Sequence, residues 1–287
     1  MIDILITIIG IVAIILLWIT LYDSNRFVVV EHLLTDKRIR KSCRAVVLAD
    51  LHNKCYGKKN ERLLRAIREL KPDFILVAGD IPTAKPGQSL DTAIHFMREL
   101  AKDYPIYYGN GNHEHRLKLY PKKYGDMSEV YDKALREMGV IRLVNANITL
   151  EEYGITVFGS EIDRFFYKRF GIRPMGENYL AELLGQTKPE TYNILLAHNP
   201  DYFPRYADWG ADLVLSGHVH GGMVRVPFLG KGVVSPNVRF FPKYDGGVFH
   251  LGETDMLLSR GLGMHTIPVR IFNPGELHVV DFQSEEK

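Results

Sequence analysis

The sequence predicts an α/β fold in which a mainly parallel sheet is covered by helices and a second sheet packs on the first. From Arg44 onward, short apolar runs rich in β-branched residues alternate with amphipathic stretches, which is the pattern of repeated strand–helix–strand units. From about Gly246 to the end, the chain reads as strands with little helix, which indicates the second sheet. A long apolar segment precedes this α/β region.

The composition describes a folded protein without a general affinity for nucleic acid. Of 287 residues, 46% are apolar and 24% are charged, so the chain is neither disordered nor fibrous. The 36 Lys and Arg residues nearly balance the 34 Asp and Glu residues, which argues against nucleic acid as a partner because its binding depends on neutralising phosphates. Cys43 and Cys55 could form one bridge, but two free thiols are the better interpretation.

Residues Ile2 to Tyr22 predict a transmembrane anchor, so the first unit is 1–22. The run is apolar on every side and holds one charged residue, Asp3. At about 1.5 Å per residue it spans roughly 31 Å, the hydrocarbon thickness of a bilayer. Trp18 and Tyr22 lie towards one end, where amphipathic rings favour the interface. The alternatives are a cleaved signal peptide, although a basic start and a small-residue cleavage site are missing, and a buried core helix.

Flanking charge predicts the orientation of this anchor. No Lys or Arg precedes the apolar run, whereas six follow it: Arg26, Lys37, Arg38, Arg40, Lys41 and Arg44. The positive-inside rule then places the bulk of the chain on the cytoplasmic side of a cell membrane that is crossed once. Residues 23–43 are expected to be a polar connecting segment, in which Phe27 to Val30 could form a first edge strand. Residues 44–287 are expected to form one domain.

The individual elements follow from short periodic patterns. Apolar runs predict buried strands at 45–49, 74–78, 106–108, 155–158, 193–197 and 213–215. Apolar residues at helical spacing predict helices over 60–70, which Pro72 follows, and over 90–100.

Polar residues directly follow five of these strands. The runs are Asp50-Leu51-His52, Gly79-Asp80, Gly109-Asn110-Gly111-Asn112-His113-Glu114, His198-Asn199 and Gly217-His218-Val219-His220. In open α/β sheets, ligands bind beyond the carboxyl ends of the strands, so these runs are expected to converge on one place. Any one of them is weak by itself, but the five in order indicate a shared site.

The residue types suit a pair of divalent metal ions. Asp50 and His52 are two residues apart, so on an extended backbone both side chains would point to the same side, and His218 and His220 repeat this spacing. Carboxylate oxygen and imidazole nitrogen are ligands for manganese, iron or zinc. Asp80 has two oxygens and could bridge two ions. The glycines that precede several of these residues are expected to let the backbone pass close to the ions.

These motifs resemble those of the calcineurin-like metallophosphoesterases. The resemblance covers about residues 44–282 and includes both the order and the spacing of the polar runs. Within that superfamily the chain is similar to a membrane-associated, YkuE-like bacterial group, whose further motifs match residues 217–222, 260–263 and 268–270. The sequence departs from the usual pattern at Ala49, Val219 and Met223, and none of these is a ligand position.

The resemblance implies a four-layer α/β/β/α sandwich that binds two divalent ions, with manganese expected and iron or zinc as alternatives. It implies two sets of metal ligands that share one carboxylate: Asp50, His52, Asp80 and His220 for one ion, and Asp80, Asn112, His198 and His218 for the other. A water shared by the ions would supply hydroxide near neutral pH, and this hydroxide would attack phosphorus.

The resemblance also implies roles for residues around the ions. His113 is expected to be catalytic, because it would donate to a phosphate oxygen and could protonate the leaving group. Asn112, His113 and Arg260 are the candidate substrate contacts, although Arg260 could equally cap a strand turn. Glu114 could orient the imidazole of His113 or could be a surface acid.

The expected activity is hydrolysis of a phosphoester or pyrophosphate bond in a phosphorylated small molecule or lipid. Relatives in the wider superfamily hydrolyse the pyrophosphate of UDP-diacylglucosamine. Segments 165–170 and 238–244 mix aromatic and basic residues, as loops at a bilayer interface do, although ordinary loops with a partly buried aromatic cluster are the better interpretation. The alternative functions are a non-catalytic metal-binding scaffold of the same fold and a phosphodiesterase of soluble nucleotides.

Overall fold

Two six-stranded sheets form the centre of the protein. The computed structural model describes residues 1–168, 171–235, 240–264 and 268–285. Within these residues the strands are β1 (Phe27–Asp36), β2 (Cys43–Leu48), β3 (Phe74–Ala78), β4 (Ile106–Gly109), β5 (Ile141–Leu143), β6 (Ala146–Leu150), β7 (Ile155–Ser160), β8 (Tyr192–Ala197), β9 (Leu213–Ser216), β10 (Gly247–Leu251), β11 (Thr254–Leu258) and β12 (Gly275–Ser284). The helices are α1 (Ile2–Ser24), α2 (Glu61–Leu70), α3 (Asp91–Ala101), α4 (Asn112–Leu119), α5 (Pro121–Tyr124), α6 (Met127–Glu137), α7 (Tyr179–Leu184) and α8 (Phe203–Trp209).

The strand order confirms a mixed, mainly parallel arrangement. The first sheet has the order β1-β12-β2-β3-β4-β5 and the second has the order β10-β11-β9-β8-β7-β6. Strands β2 to β5 are parallel to one another, as are β7, β8, β9 and β11. The pair β1–β12 is also parallel, whereas β2–β12, β6–β7 and β10–β11 are antiparallel.

The expectation that the strand-rich tail forms the second sheet is only partly right. Strands β10 and β11 do join the second sheet, but β12 lies inside the first, between β1 and β2. The side chains of β12 explain this position, because Leu277 and Val279 belong to one apolar core while Val280 and Phe282 belong to another. A strand that is apolar on both faces is stable only where both faces are covered.

Three apolar cores separate four layers. One lies between the two sheets and contains Leu76 and Tyr107 from the first sheet and Ile194 and Leu215 from the second. A second core packs helices α2, α3 and α6 on the outer face of the first sheet, and a third packs α7 and α8 on the outer face of the second. This is the predicted α/β/β/α sandwich.

The N-terminal region differs in detail from a polar connecting segment. Strand β1 is ten residues long and begins at Phe27, where an edge strand was expected, and it pairs in parallel with β12 at the edge of the first sheet. Helix α1 is long and apolar enough to be a membrane span or a signal sequence, and none of its most apolar stretch is buried. The exposed side chains rule out the interpretation of α1 as a core helix. Both cysteines are free, Cys43 buried and Cys55 exposed.

Candidate metal centre

The carboxyl ends of β2, β3, β8 and β9 meet at one edge of the two sheets and bring the predicted polar residues together. Asp50, Asp80, His198 and His220 are each no more than 4% exposed, and His52 is 8% exposed. Potential ligand atoms lie within 4.8 Å of one another in three overlapping groups: Asp50, His52 and His220; His52, Asp80 and His113; and Asp50, Asp80 and His198. Because the groups share Asp50, His52 and Asp80, they form one continuous cluster.

The backbone reaches this geometry in a way that the sequence did not predict. Asp50 and His52 both have positive φ angles, 52° and 48°, so they lie in tight turns and not on an extended strand. His218 and His220 also have positive φ angles, 74° and 52°. Non-glycine residues rarely adopt this conformation, and its concentration at strand ends is typical of functional sites.

Two glycines make room for carboxylates. A Cβ on Gly111 would lie 2.2 Å from Asp80 Oδ1, and a Cβ on Gly217 would lie 2.2 Å from Asp50 Oδ2. Any side chain at these positions would displace a carboxylate. The glycines thus allow the carboxylates of Asp50 and Asp80 to pack closely against the neighbouring loops. The sequence had indicated a different reason, namely that the backbone passes close to the ions.

Each carboxylate divides its two oxygens between the backbone and the imidazoles. Asp50 Oδ2 accepts a hydrogen bond from the His218 N–H at 2.9 Å, and Asp80 Oδ1 accepts one from the His113 N–H at 2.7 Å. The other oxygens face the ring nitrogens. Asp50 Oδ1 lies 3.3 Å from His220 Nε2 and 3.5 Å from His52 Nε2, while Asp80 Oδ2 lies 3.1 Å from His198 Nε2 and 3.8 Å from His52 Nε2.

Opposite charges dominate the electrostatics of the cluster. Burial opposes ionisation of Asp50 and Asp80, but the nearby imidazoles, chiefly His220 for Asp50 and His198 for Asp80, outweigh it and hold the pKa of both carboxyls well below the usual range. Burial lowers the pKa of His198, but Asp80 and Asp50 outweigh burial and raise it to about 10. His198 Nδ1 lies 2.7 Å from the carbonyl of Ala78, to which it donates, and this bond directs Nε2 towards the carboxylates.

Asn112 and His218, which the resemblance assigns to the second ion, lie next to the cluster but do not belong to the three ligand groups. Asn112 is the first residue of α4 and is 7% exposed. The ring of His218 packs edge-to-face on that of His198, with centroids 5.4 Å apart, and on that of Tyr167, with centroids 5.3 Å apart. Tyr167 was not singled out in the sequence, because nothing local distinguishes it within segment 165–170.

His113 is held in a defined tautomer. The backbone N–H of Ala84 donates to His113 Nδ1 at 2.8 Å, so this nitrogen carries no proton and Nε2 is the N–H donor of the neutral ring. Nε2 lies 4.0 Å from Asp80 Oδ2. The geometry suits a hydrogen-bond donor to phosphate. Protonation of a leaving group would call for an imidazolium, which would lose the bond from Ala84.

Glu114 takes neither of the two roles left open by the sequence. Its carboxylate is buried and accepts hydrogen bonds at 3.0 Å from the N–H groups of Asp80, Ile81 and Gly111. The hydroxyl of Tyr108 donates to the same carboxylate at 2.5 Å. Burial and the charge of Asp80 raise the pKa of Glu114 to about 7. The residue therefore supports the loop that carries Asp80.

Arg260 lies beside the centre but its charge is paired. Its Nε donates to Glu276 Oε1 at 2.6 Å, and its own N–H donates to Glu276 Oε2 at 2.9 Å. These bonds hold the turn that begins β12, which favours the capping role over a substrate contact. Of segment 165–170, Phe166 packs on the rings of Tyr179 and Tyr202. Residues 169–170 and 238–239 of the two aromatic segments lie outside the described residues.

The donor set fits divalent metal ions. Among the described residues, Asp50 Oδ1 and Asn112 Oδ1 are buried and accept no directed hydrogen bond. Leaving a buried acceptor unsatisfied costs about 1–3 kcal/mol, and a bound cation would offset this. Carboxylate, amide and imidazole donors in one buried cluster are the ligands that manganese, iron and zinc accept.

Comparison with known proteins identifies the family. The profile of the calcineurin-like phosphoesterase family matches residues 43–222, which contain every candidate metal ligand. The chain belongs to this family. Its members typically bind two divalent metal ions.

Several bacterial proteins are similar to this family member along most of its length. The metallophosphoesterase Cj0846 of Campylobacter jejuni is 26% identical over 86% of this chain and 61% of its own length. YkuE of Bacillus subtilis, also named a metallophosphoesterase, is 28% identical over 77% of this chain and 72% of its own length. The phosphodiesterase YaeI of Escherichia coli is 27% identical over 68% of this chain and 65% of its own length. The chain therefore spans about three fifths of Cj0846 and about two thirds of YaeI.

Proposed function

We propose that the protein is a membrane-anchored phosphoesterase that uses two divalent metal ions to hydrolyse a phosphoester or pyrophosphate bond of a lipid-linked substrate. The arrangement of Asp50 and Asp80 is the observation that best supports hydrolytic activity. Each fixes one oxygen on a backbone N–H and turns the other towards two or more imidazoles. Asp80 Oδ2 lies between His52 of one predicted ligand set and His198 of the other, which supports a bridging role.

Bound ions would lower the pKa of a shared water and neutralise charge on the phosphoryl oxygens. The chain itself supplies orientation. His113 presents Nε2–H towards the substrate, where it stabilises charge that develops on a phosphate oxygen. Asn112 lies beside it at the start of α4, where the N-terminus of the helix favours an anion. Manganese is the expected ion, with iron or zinc as alternatives, because the ligand groups of the described residues offer oxygen and nitrogen donors.

The C-terminal end of α1 lies near the candidate metal centre, which supports the proposal of an enzyme that acts at a membrane surface. The buried carboxylate of Asp23 accepts a hydrogen bond from the backbone N–H of Asn273 at 3.0 Å. The side-chain amide of Asn273 in turn donates to the carbonyl of His220 at 2.8 Å. If α1 crosses a bilayer, these two hydrogen bonds keep the metal centre close to the membrane surface, where a lipid-borne phosphate would be presented.

Exposed aromatic side chains on one ribbon also support a metal centre that lies close to the membrane surface. Segments 224–234, 240–241 and 271–272 are joined by isolated bridges that pair Val224 with Ile271 and Val234 with Phe240. The ribbon exposes five large apolar side chains: Phe228, Leu229, Phe240, Phe241 and Phe272. Phe228 is fully exposed, and Phe272 directly precedes the residue that holds the end of α1. Such rings favour the headgroup region of a bilayer.

The positive residues after α1 support a catalytic domain on the cytoplasmic side. Arg26 lies two residues after the end of the helix, pairs with Asp23 at 2.8 Å and lies over the ring of Tyr22. Tyr22 stacks on Trp18 with ring centroids 5.4 Å apart, so aromatic and cationic groups meet at the end expected to lie at the interface.

The test is hydrolysis by the full-length protein in detergent micelles with manganese. We expect release of phosphate or phosphoester from lipid-linked substrates to exceed release from soluble nucleotides. The double variant Phe228→Ser, Phe241→Ser should lower the rate on the lipid substrates, whereas Leu33→Ser, which removes an exposed apolar side chain on β1 outside the ribbon, should not. A clear preference for soluble nucleotides would favour a soluble-nucleotide phosphodiesterase. Metal binding without hydrolysis of any phosphoester would favour the scaffold.

A further inference from the structure

Two cavities flank the metal centre and share one arginine. The first, about 470 Å³, is lined by His52 and His113 together with Lys85, Arg116 and Lys123. The second, about 660 Å³, is lined by Arg116, Arg164 and Lys168, and by Tyr167, whose ring contacts His218. Arg116 therefore lines both cavities.

In the described part of the chain, the Lys and Arg side chains that line the two cavities have no acidic counterparts in the linings. Among the described residues, the two linings contain five Lys or Arg side chains and no carboxylate. The chain as a whole is nearly neutral, with 36 basic and 34 acidic residues, so this concentration of cations is local. Glu161, an acid on the same side of the molecule, is directed towards Asn110 and Lys118.

Arg116 is positioned by its surroundings. It lies three residues after His113 on α4, so both side chains emerge from the same face of the helix. Its guanidinium donates to the hydroxyl of Tyr124 at 3.0 Å, and Tyr124 is buried. A planar guanidinium held in this way is suited to bind phosphate oxygens in pairs.

We propose that Arg116, with Lys85 and Lys123 on one side and Arg164 and Lys168 on the other, binds a second anionic phosphoryl group of the substrate. The scissile phosphoryl group would lie at the metal centre beside His113, and its neighbour would lie at Arg116. The preferred substrate is then a diphosphate or a closely spaced bisphosphate, and not a phosphodiester with a single charge. This inference rests on the proposed function, because it takes the metal centre as the site of hydrolysis.

The experiment compares two inhibitors of bis(p-nitrophenyl) phosphate hydrolysis by the full-length protein at fixed free manganese: methylenediphosphonate and methylphosphonate. We expect Arg116→Ala to weaken inhibition by the diphosphonate about tenfold more than inhibition by the monophosphonate, and Arg116→Lys to restore part of the difference. Lys118→Ala is the matched control, because Lys118 lies on the same helix, is exposed and lines neither cavity. It should leave both inhibition constants unchanged.

Equal weakening of both inhibitors by Arg116→Ala, or no change in either, would overturn the second phosphoryl site. If the unaltered protein does not hydrolyse the diester, calorimetric dissociation constants of the same two phosphonates decide on the site, and hydrolysis of the lipid-linked substrates decides separately on the proposed function. Farnesyl diphosphate in micelles and uridine diphosphate in solution separate a lipid carrier from a soluble one. Loss of affinity for both in Arg116→Ala supports the site whichever carrier binds more tightly.

Discussion

The side chain of Asn273 donates a hydrogen bond of 2.8 Å to the carbonyl oxygen of His220, so the residue that receives the end of α1 also supports a candidate metal ligand. The same amide donates to the carbonyl of Gly222, and Asn273 is fully buried. The turn that carries His220 is thereby connected to the N-terminal helix through a single residue, Asn273.

Replacing Asn273 should weaken both the fold and the metal centre. Asn273→Asp keeps the size of the side chain but removes both donors, which leaves two buried carbonyls facing a carboxylate. We expect a loss of about 2–4 kcal/mol in the free energy of unfolding and weaker manganese binding. Thermal unfolding and metal content after dialysis measure the two effects. Asn147→Asp, on an exposed part of β6, should change stability by less than about 0.5 kcal/mol, and an equal loss in both variants would argue against this link.

Substitution of Asp80 should affect metal binding, whereas substitution of His113 should affect turnover alone. Asp80→Ala removes the carboxylate that lies between His52 and His198, so we expect most bound metal to be lost. His113→Ala leaves both predicted ligand sets intact and should lower turnover about 100-fold or more with metal content nearly unchanged. Elemental analysis beside a phosphodiester assay distinguishes the two. If both variants lose metal equally, His113 does not have the separate role argued for it.

Glu114 should be essential for stability although it is not a predicted ligand. Glu114→Ala leaves three buried N–H groups and the Tyr108 hydroxyl without their acceptor. We expect a destabilisation of about 3–5 kcal/mol and loss of metal as a consequence. Chemical denaturation with and without manganese measures it. The control Glu129→Ala, at an exposed position of α6, should lower the free energy of unfolding by less than about 1 kcal/mol. If Glu114→Ala lowered it by no more than this, the supporting role of Glu114 would be contradicted.

Glu276 should make stability depend on acid pH. Burial alone would raise its pKa, but the hydrogen bond from His278 and the charge of Arg260 outweigh burial and lower the pKa from 4.5 to about 2. A carboxyl with a lowered folded-state pKa contributes stability above its unfolded pKa and loses it as the pH falls towards the folded value. The contribution, about 3 kcal/mol at neutral pH, should therefore disappear between about pH 4.5 and 2.

The check is the difference in unfolding free energy between the unaltered protein and Glu276→Gln, measured in EDTA from pH 7 to the acid limit of folding. The difference should be constant down to about pH 5 and shrink below it. A difference that stays the same through this range would mean that Glu276 is not selectively stabilised as a carboxylate.

The sequence predicted that the polar residues converge, but it did not predict the backbone conformation that brings them together. Strand ends that carry Asp50, Asp80 and His198 were readable, because apolar runs mark the strands and parallel strands share one edge. The left-handed turns at Asp50 and His52 were not, since their φ angles are imposed by contacts with the Gly79 and Gly263 loops. The supporting role of Glu114 could be identified only after the fold was known, because its partners at Asp80 and Ile81 are more than thirty residues away in the sequence.

Other parts of the site left no local signal at all. Asn273 and Phe228 lie in loops, and their importance comes from what distant segments bring beside them. The place of β12 inside the first sheet depends likewise on two cores contributed by other strands. Local periodicity identifies a strand, but its neighbours in a sheet are decided by long-range packing.

Metal stoichiometry tests the central claim most directly. Elemental analysis of the full-length protein loaded with manganese, combined with electron paramagnetic resonance, reports both the number of ions and their coupling. Two ions per chain with the spectrum of an exchange-coupled pair are predicted, since Asp80 lies between the two ligand sets. A folded, hydrolytically active protein that binds one uncoupled ion or none would contradict it.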